Sequence, residues 1–306
     1  MPRLKKRAEK DGLLRRVKKQ RLNYITILPS LITILNGVFG FAAIVFAGAG
    51  SFAKAGYLIL LAMIADMLDG RVARMSRSTS SFGGQLDSIC DVISFGVAPA
   101  FLTLEILQHN LKLAELNLVH RFIWFAAAAY ISCAAIRLAR FNVENEEDET
   151  AHMSFIGLPT PAAAGVVVSL IIFHQETLPV IFENTQNSQA QLIFENAIIY
   201  ALPFLLLGTA ILMISRIRYP HIINQYIKGK KPFAHLIKAL LVLGLIVSVK
   251  IRTVLVLCFF GFAASGFLKW FFYKIIRHKE KLVTAIEPAA QIAADKTNIE
   301  LNDDSI

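Results

Sequence analysis

The chain has 306 residues, of which 55% are hydrophobic and only 18% charged, with a mean hydropathy of +0.55. That composition excludes a single water-soluble core of this size and reads as an integral membrane protein. The formal net charge of +10 would suit nucleic acid, but the basic residues gather at the ends of apolar runs, where they orient membrane helices. No nucleic-acid partner is expected.

In chain order, residues 1–22 form a dense Lys/Arg segment with leucines and valine at helical spacing, read as a basic amphipathic helix lying at the cytosolic interface. No signal-peptide pattern follows, because the next apolar run, from about Pro29 to Gly48, is long enough to span. Further runs cover about 53–74, 84–107, 121–141, 158–182, 194–215, 233–250 and 252–273. The expected fold is therefore all-α and polytopic, with about eight transmembrane helices. The last two are interrupted by Lys238, Lys250 and Arg252.

Loop charge sets the orientation. Arg77, the segment after Arg140, the cluster from Arg216 to Lys231 and the end at Lys274 to Lys279 fall on one side, which places both termini in the cytosol; the turn at Lys250 and Arg252 is the exception. The domain plan is a basic segment 1–22, a transmembrane domain 23–278 and a polar tail 279–306. Cys90, Cys133 and Cys258 all lie in apolar runs and read as small buried hydrophobes. His152, His174, His221, His235 and His278 are scattered and read as loop or interface residues. Trp124, Trp270 and Tyr273 read as interfacial anchors, and Glu144 to Glu149 as a solvated loop.

The chemistry lies between Asp66 and Asp91. Asp66, Asp69, Gly70, Ala73 and Arg74 are followed, after eight residues, by Gly83, Asp87 and Asp91. A charge at the centre of a membrane helix costs roughly 2.5–3.5 kcal/mol on insertion scales, so four carboxylates need a cation, water or both. Positions 66, 69, 70 and 73 share one helix face, and positions 83, 87 and 91 share one face of the next helix. A short turn over residues 75–82 joins the two, so the carboxylate stripes face each other near the cytosolic surface. Oxygen-only ligands suit a hard cation such as Mg²⁺ or Mn²⁺, and four carboxylates can share two ions. Gly70, Ala73 and Gly83 leave room for a large polar substrate, and Arg74 offers a forked cation for phosphate. A structural ion network with Arg71, Arg74 and Arg77 would occupy one or two carboxylates. It gives no reason for four on two facing stripes with small residues between them.

The string matches in full the signature D-x2-D-G-x2-A-R-x8-G-x3-D-x3-D, and the chain resembles the CDP-alcohol phosphatidyltransferase family over roughly residues 25–275. The resemblance implies a helical membrane core, usually homodimeric, that joins a CDP-activated lipid or alcohol to an acceptor hydroxyl and releases CMP at a dinuclear metal site. Carried across, Asp66, Asp69 and Asp87 are metal ligands, Asp91 is both ligand and general base, and Gly70, Arg74 and Ser80 contact the CDP moiety. The family's opening pattern is similar to Pro29-Ser30-x-x-Thr33-x-x-Asn36, with Ser30 where an Asn is usual. Thr33 and Asn36 are accordingly candidates for the diphosphate or nucleotide.

Three strings further resemble the phosphatidylserine synthase branch: Ser94 to Ala100, Arg137 to Asn142, and Gly157 to Ala164. They imply CDP-diacylglycerol as donor and L-serine as acceptor, with Arg137 or Arg140 meeting the serine carboxylate. Localisation in the cell (inner) membrane, with the active site on the cytosolic side and lipid tails left in the bilayer, follows from the same reading. The competing acceptors are inositol phosphate, glycerol phosphate and choline, and the lipid could be ether-linked. A cation transporter is the alternative of a different class, but its carboxylates would sit near the midplane among broken helices and repeated halves.

Overall fold

A polypeptide in hydrocarbon must satisfy its backbone polar groups internally, so apolar runs of this length become helices. The computed structural model describes residues 30–76, 81–111, 117–147, 154–183, 188–220 and 251–271. By contact the chain divides into two units, Met1–Ala263 and Ala264–Ile306; apart from the second half of the last helix, the description that follows concerns the first. The expected basic segment 1–22, the run 233–250 and the tail 279–306 lie outside the described residues.

Helix α1 runs Ser30–Gly48 and α2 runs Phe52–Ser76, while α3 covers Ser81–Asp91 and passes through a π-helical turn, Val92–Val97, into α4, Ala98–Leu111. Helix α5 is Asn117–Glu147. Helix α6, Thr160–Ile172, continues through a second π-helical turn, Phe173–Thr177, into α7, Leu178–Glu183. Helix α8 is Ser188–Ile214, and α9 is Ile251–Phe271. Two short strands, β1 (Ser154–Ile156) and β2 (Arg218–Pro220), pair antiparallel with Phe155 opposite Tyr219.

Among the described residues, six helices are long and apolar enough to cross a membrane. Helix α2 is equally long at 25 residues but carries Lys54, Asp66, Asp69, Arg71 and Arg74, so composition alone does not mark it. Seven of the eight predicted runs thus appear as helices. Helix α5 continues six residues beyond the expected end at 141, and its backbone carries the start of the acidic run, Glu144 to Glu147, which was expected as loop.

Small residues bring the helices together. A Cβ at Gly56 would meet Ile172 Cγ1 at 2.7 Å, and one at Gly165 would fall 2.2 Å from the Phe259 ring. Such crossings are how membrane helices gain dispersion contacts without a hydrophobic driving force between them.

The π-helical turn at Val92–Val97 has a local cause and a tertiary one. The Ala98 N–H bonds the Ile93 carbonyl, five residues back, and Pro99 has no N–H to offer the carbonyl four residues back, that of Phe95. The fully buried Tyr130 on α5 donates its hydroxyl to this Phe95 oxygen at 3.1 Å. The irregularity therefore begins directly after Asp91. Tyr130→Phe leaves a buried carbonyl without that donor and is expected to cost about 1–3 kcal/mol, read as a lower thermal midpoint of the detergent-purified protein.

Two expectations are corrected, and the exception to the charge rule finds its partners. His174, expected in a loop or interface, is buried in the second π-helical turn, where Gln175 Nε2 approaches its Nδ1 at 3.2 Å. Of the cysteines only Cys90 is buried, while Cys133 is half-buried and Cys258 exposed, because their helices turn those faces outward. Arg252, the exception to the charge rule, forms a 2.6 Å ion pair with Glu176 and donates through Nε to Tyr57 Oη at 2.9 Å. Tyr57 in turn donates to Glu176 at 2.7 Å, so this cation is neutralised within the bundle.

Candidate active site

Helices α2 and α3 carry the carboxylates because their apolar residues face neighbours or lipid, which leaves the Asp stripes as their polar face. Asp66, Asp69 and Asp87 each bring a carboxylate oxygen within 4.8 Å of the other two. Asp69 is only 4% exposed. Asp69 Oδ2 and Asp87 Oδ1 are buried and make no hydrogen bond. Three like charges drawn this close in a dry place repel strongly, and they persist only when a cation or protons offset them. The buried acceptors without donors, aimed into one oxygen-lined space, are the arrangement a hard divalent cation fits.

Asp91 lies one turn farther along α3 and stands beside this group rather than in it, close enough to interact electrostatically with all three carboxylates. Its Oδ1 accepts a 2.9 Å hydrogen bond from Asn36 Nδ2. Thr33, three residues earlier on the same face of α1, hydrogen-bonds Asp69. The two α1 residues expected at the nucleotide are thus engaged with carboxylates.

The remaining motif residues are placed as follows. Gly70 and Gly83 are half-buried on the α2 and α3 faces. Ala73 and Arg74 fall in the last turns of α2 by backbone; their side chains lie outside the described residues, as do Ser80 and the turn 77–80. Of the two arginines on α5, Arg140 is exposed and Arg137 is buried. Arg137 donates from Nη1 to Thr160 Oγ1 at 2.8 Å, sits 5.8 Å from the Phe141 ring centre, and interacts electrostatically with Asp66.

Sequence reasoning missed several residues that hold the site together. Asn142 Nδ2 donates to Ser88 Oγ at 2.8 Å, which fastens α5 to α3 between Asp87 and Asp91. Thr160 anchors Arg137, and Ser94 donates to the Asn36 carbonyl at 2.9 Å. Asn142, Thr160 and Ser94 all fall inside strings that the sequence singles out as wholes, but no spacing rule marks their roles.

An apolar helical bundle holding a carboxylate group on two adjoining helices, with a buried arginine beside it, defines an integral membrane protein with a polar site fit for a hard cation. The sequence model of the CDP-alcohol phosphatidyltransferases matches residues 26–217, and the chain belongs to this family of enzymes. It is similar to a CDP-diacylglycerol–serine O-phosphatidyltransferase of Helicobacter pylori (strain J99), 33% identical over 263 residues that cover 85% of this chain and 98% of the relative. A protein of the same name from Methanocaldococcus jannaschii is 36% identical over 201 residues, 66% of this chain and 77% of the relative. An archaetidylserine synthase of Methanothermobacter thermautotrophicus is 30% identical over 207 residues, 66% of this chain and 73% of the relative.

Proposed function

We propose that this enzyme transfers the phosphatidyl group of CDP-diacylglycerol to the hydroxyl of L-serine, giving phosphatidylserine and CMP. The observation that supports it most directly is Arg137: a buried guanidinium joined to Thr160 and acting on Asp66, placed where a carboxylate-bearing acceptor would be drawn beside the carboxylate group. The names of the relatives over most of this chain agree with serine as that acceptor.

In the reaction the serine oxygen attacks the β-phosphorus, a new P–O bond forms as the phosphoanhydride bond to CMP breaks, and the hydroxyl proton passes to Asp91. Asp66, Asp69 and Asp87, with Asp91, would hold two Mg²⁺ or Mn²⁺ ions, which when bound would offset diphosphate charge and stabilise the leaving CMP. Gly70 and Gly83 leave the backbone open to the nucleotide, with Ala73, Arg74 and Ser80 flanking it. Arg137 orients serine, so that an unactivated alcohol meets the phosphorus at high effective concentration. The site faces the cytosol in a cell (inner) membrane, both termini lie on that side, and the enzyme works as a homodimer.

The test is CMP release by the purified protein from CDP-diacylglycerol with Mg²⁺ or Mn²⁺, offering serine, inositol phosphate, glycerol phosphate and choline in parallel, with and without chelator. Serine-dependent, chelator-sensitive release is expected; release with another acceptor alone would remove serine from the reading. Arg137→Ala is expected to raise the serine KM at least about tenfold, as loss of a charge-assisted contact of ~1.5–3 kcal/mol implies. An unchanged serine KM would take Arg137 out of the pocket.

A further inference from the structure

We infer that Asn36 is a positioning residue for Asp91, and that α1 acts as a clamp setting the direction of that carboxylate rather than as a wall of the nucleotide pocket. This rests on the proposal that Asp91 takes the acceptor proton. Asn36 is fully buried, and its amide donates to Asp91 Oδ1 at 2.9 Å, which fixes one oxygen and so aims the other. Asn36 is itself held at its backbone: Ser94 Oγ, fully buried in the π-helical turn after Asp91, donates to its carbonyl at 2.9 Å.

The approach of α1 to this segment leaves no room for a side chain at Gly40 and little at Gly37. A Cβ at Gly40 would lie 2.3 Å from Ser94 Oγ and 2.7 Å from Ser94 Cα, and one at Gly37 would lie 3.0 Å from Cys90 Sγ. Gly37 and Gly40 thus bring two backbones close enough for short side chains to bridge them. The amide is held by the same segment whose carboxylate it orients, so the contact closes on itself. Asn36 has no exposed surface, and its Nδ2 is committed to Asp91 while its Oδ1 makes no hydrogen bond among the described residues. Its loss should disturb geometry at the reacting oxygen while leaving donor binding intact.

Steady-state CMP release is measured for Asn36→Ala and Ser94→Ala with whichever acceptor supports turnover, so that a wrong acceptor leaves this comparison standing. Asn36→Ala is expected to lower kcat about 10–100-fold, the range that a misplacement near 1 Å produces, with the KM for CDP-diacylglycerol within about twofold of the parent. Ser94→Ala is expected to lower kcat severalfold in the same pattern. A raised donor KM with kcat retained in Asn36→Ala would overturn the inference and return Asn36 to the nucleotide. Both constants unchanged would overturn it too. If Asn36→Ala does not purify as a folded species, Ser94→Ala, which removes a single hydroxyl, decides by the same split.

Discussion

Asp91→Asn is expected to reduce CMP release by about 10²–10⁴-fold, the usual range for loss of a general base, without unfolding the protein. The substitution is isosteric. Its side-chain oxygen can still accept from Asn36 Nδ2, so the 2.9 Å contact that seats it can survive. A buried charge beside three other carboxylates is removed, which should leave stability equal or higher. What the amide cannot do is take a proton from serine at neutral pH. The measurement is turnover with saturating substrates, alongside a thermal midpoint. Turnover within about threefold of the parent would remove Asp91 as the base. Asp69→Asn makes the useful comparison, because Asp69 belongs to the close carboxylate group and its loss should show mainly as a higher metal requirement.

The largest expected effect on folding is at Gly157. Its φ is +82°, a left-handed conformation that costs a residue with a Cβ about 1–3 kcal/mol. A Cβ there would also fall 2.2 Å from the Met213 carbonyl oxygen and 3.1 Å from that of Ser215. Both are backbone atoms, which cannot swing aside. Gly157 donates to the Ile217 carbonyl at 2.8 Å and Leu158 to Leu212 at 3.0 Å, so the clash falls where the chain before α6 is tied to the end of α8. Gly157→Ala is expected to cost roughly 3 kcal/mol or more, seen as a marked fall in thermal midpoint or as failure to purify. Where protein is recovered, the serine KM should rise, because Thr160 lies three residues on and holds Arg137. A midpoint unchanged within about one degree would show that the ribbon can relax around a methyl group.

These two positions differ in how openly the sequence announces them. Asp91 is legible because a carboxylate in hydrocarbon is costly, and a spaced series of such residues leaves few readings besides a site. Gly157 lies in a string that the sequence marks only as a unit, and nothing local shows that a carbonyl 56 residues later would occupy the space of its Cβ. The same division runs through the fold. The helices were readable because each is a hydrophobic run near the length a bilayer demands, α2 included, although its five charged residues weaken the apolar signal. The π-helical turns were not readable, since they depend on which helix supplies a donor, as Tyr130 does for Phe95.

The candidate site divides in the same way. Periodicity alone puts Asp66 with Asp69 and Asp87 with Asp91, one helix face each, and the short link between α2 and α3 makes those faces meet. It does not separate Asp91 from the close group of three, tell the buried Arg137 from the exposed Arg140, or turn Thr33 and Asn36 onto carboxylates. Sequence by itself determined the membrane setting, the family and the carboxylate series, because hydropathy and charge spacing act within one or two helices. Tertiary structure decided which arginine is buried, which carboxylate stands apart and which amide bonds it. Those outcomes depend on helix crossings whose closeness is set by residues such as Gly40 and Gly157, far along the chain from the groups they bring together.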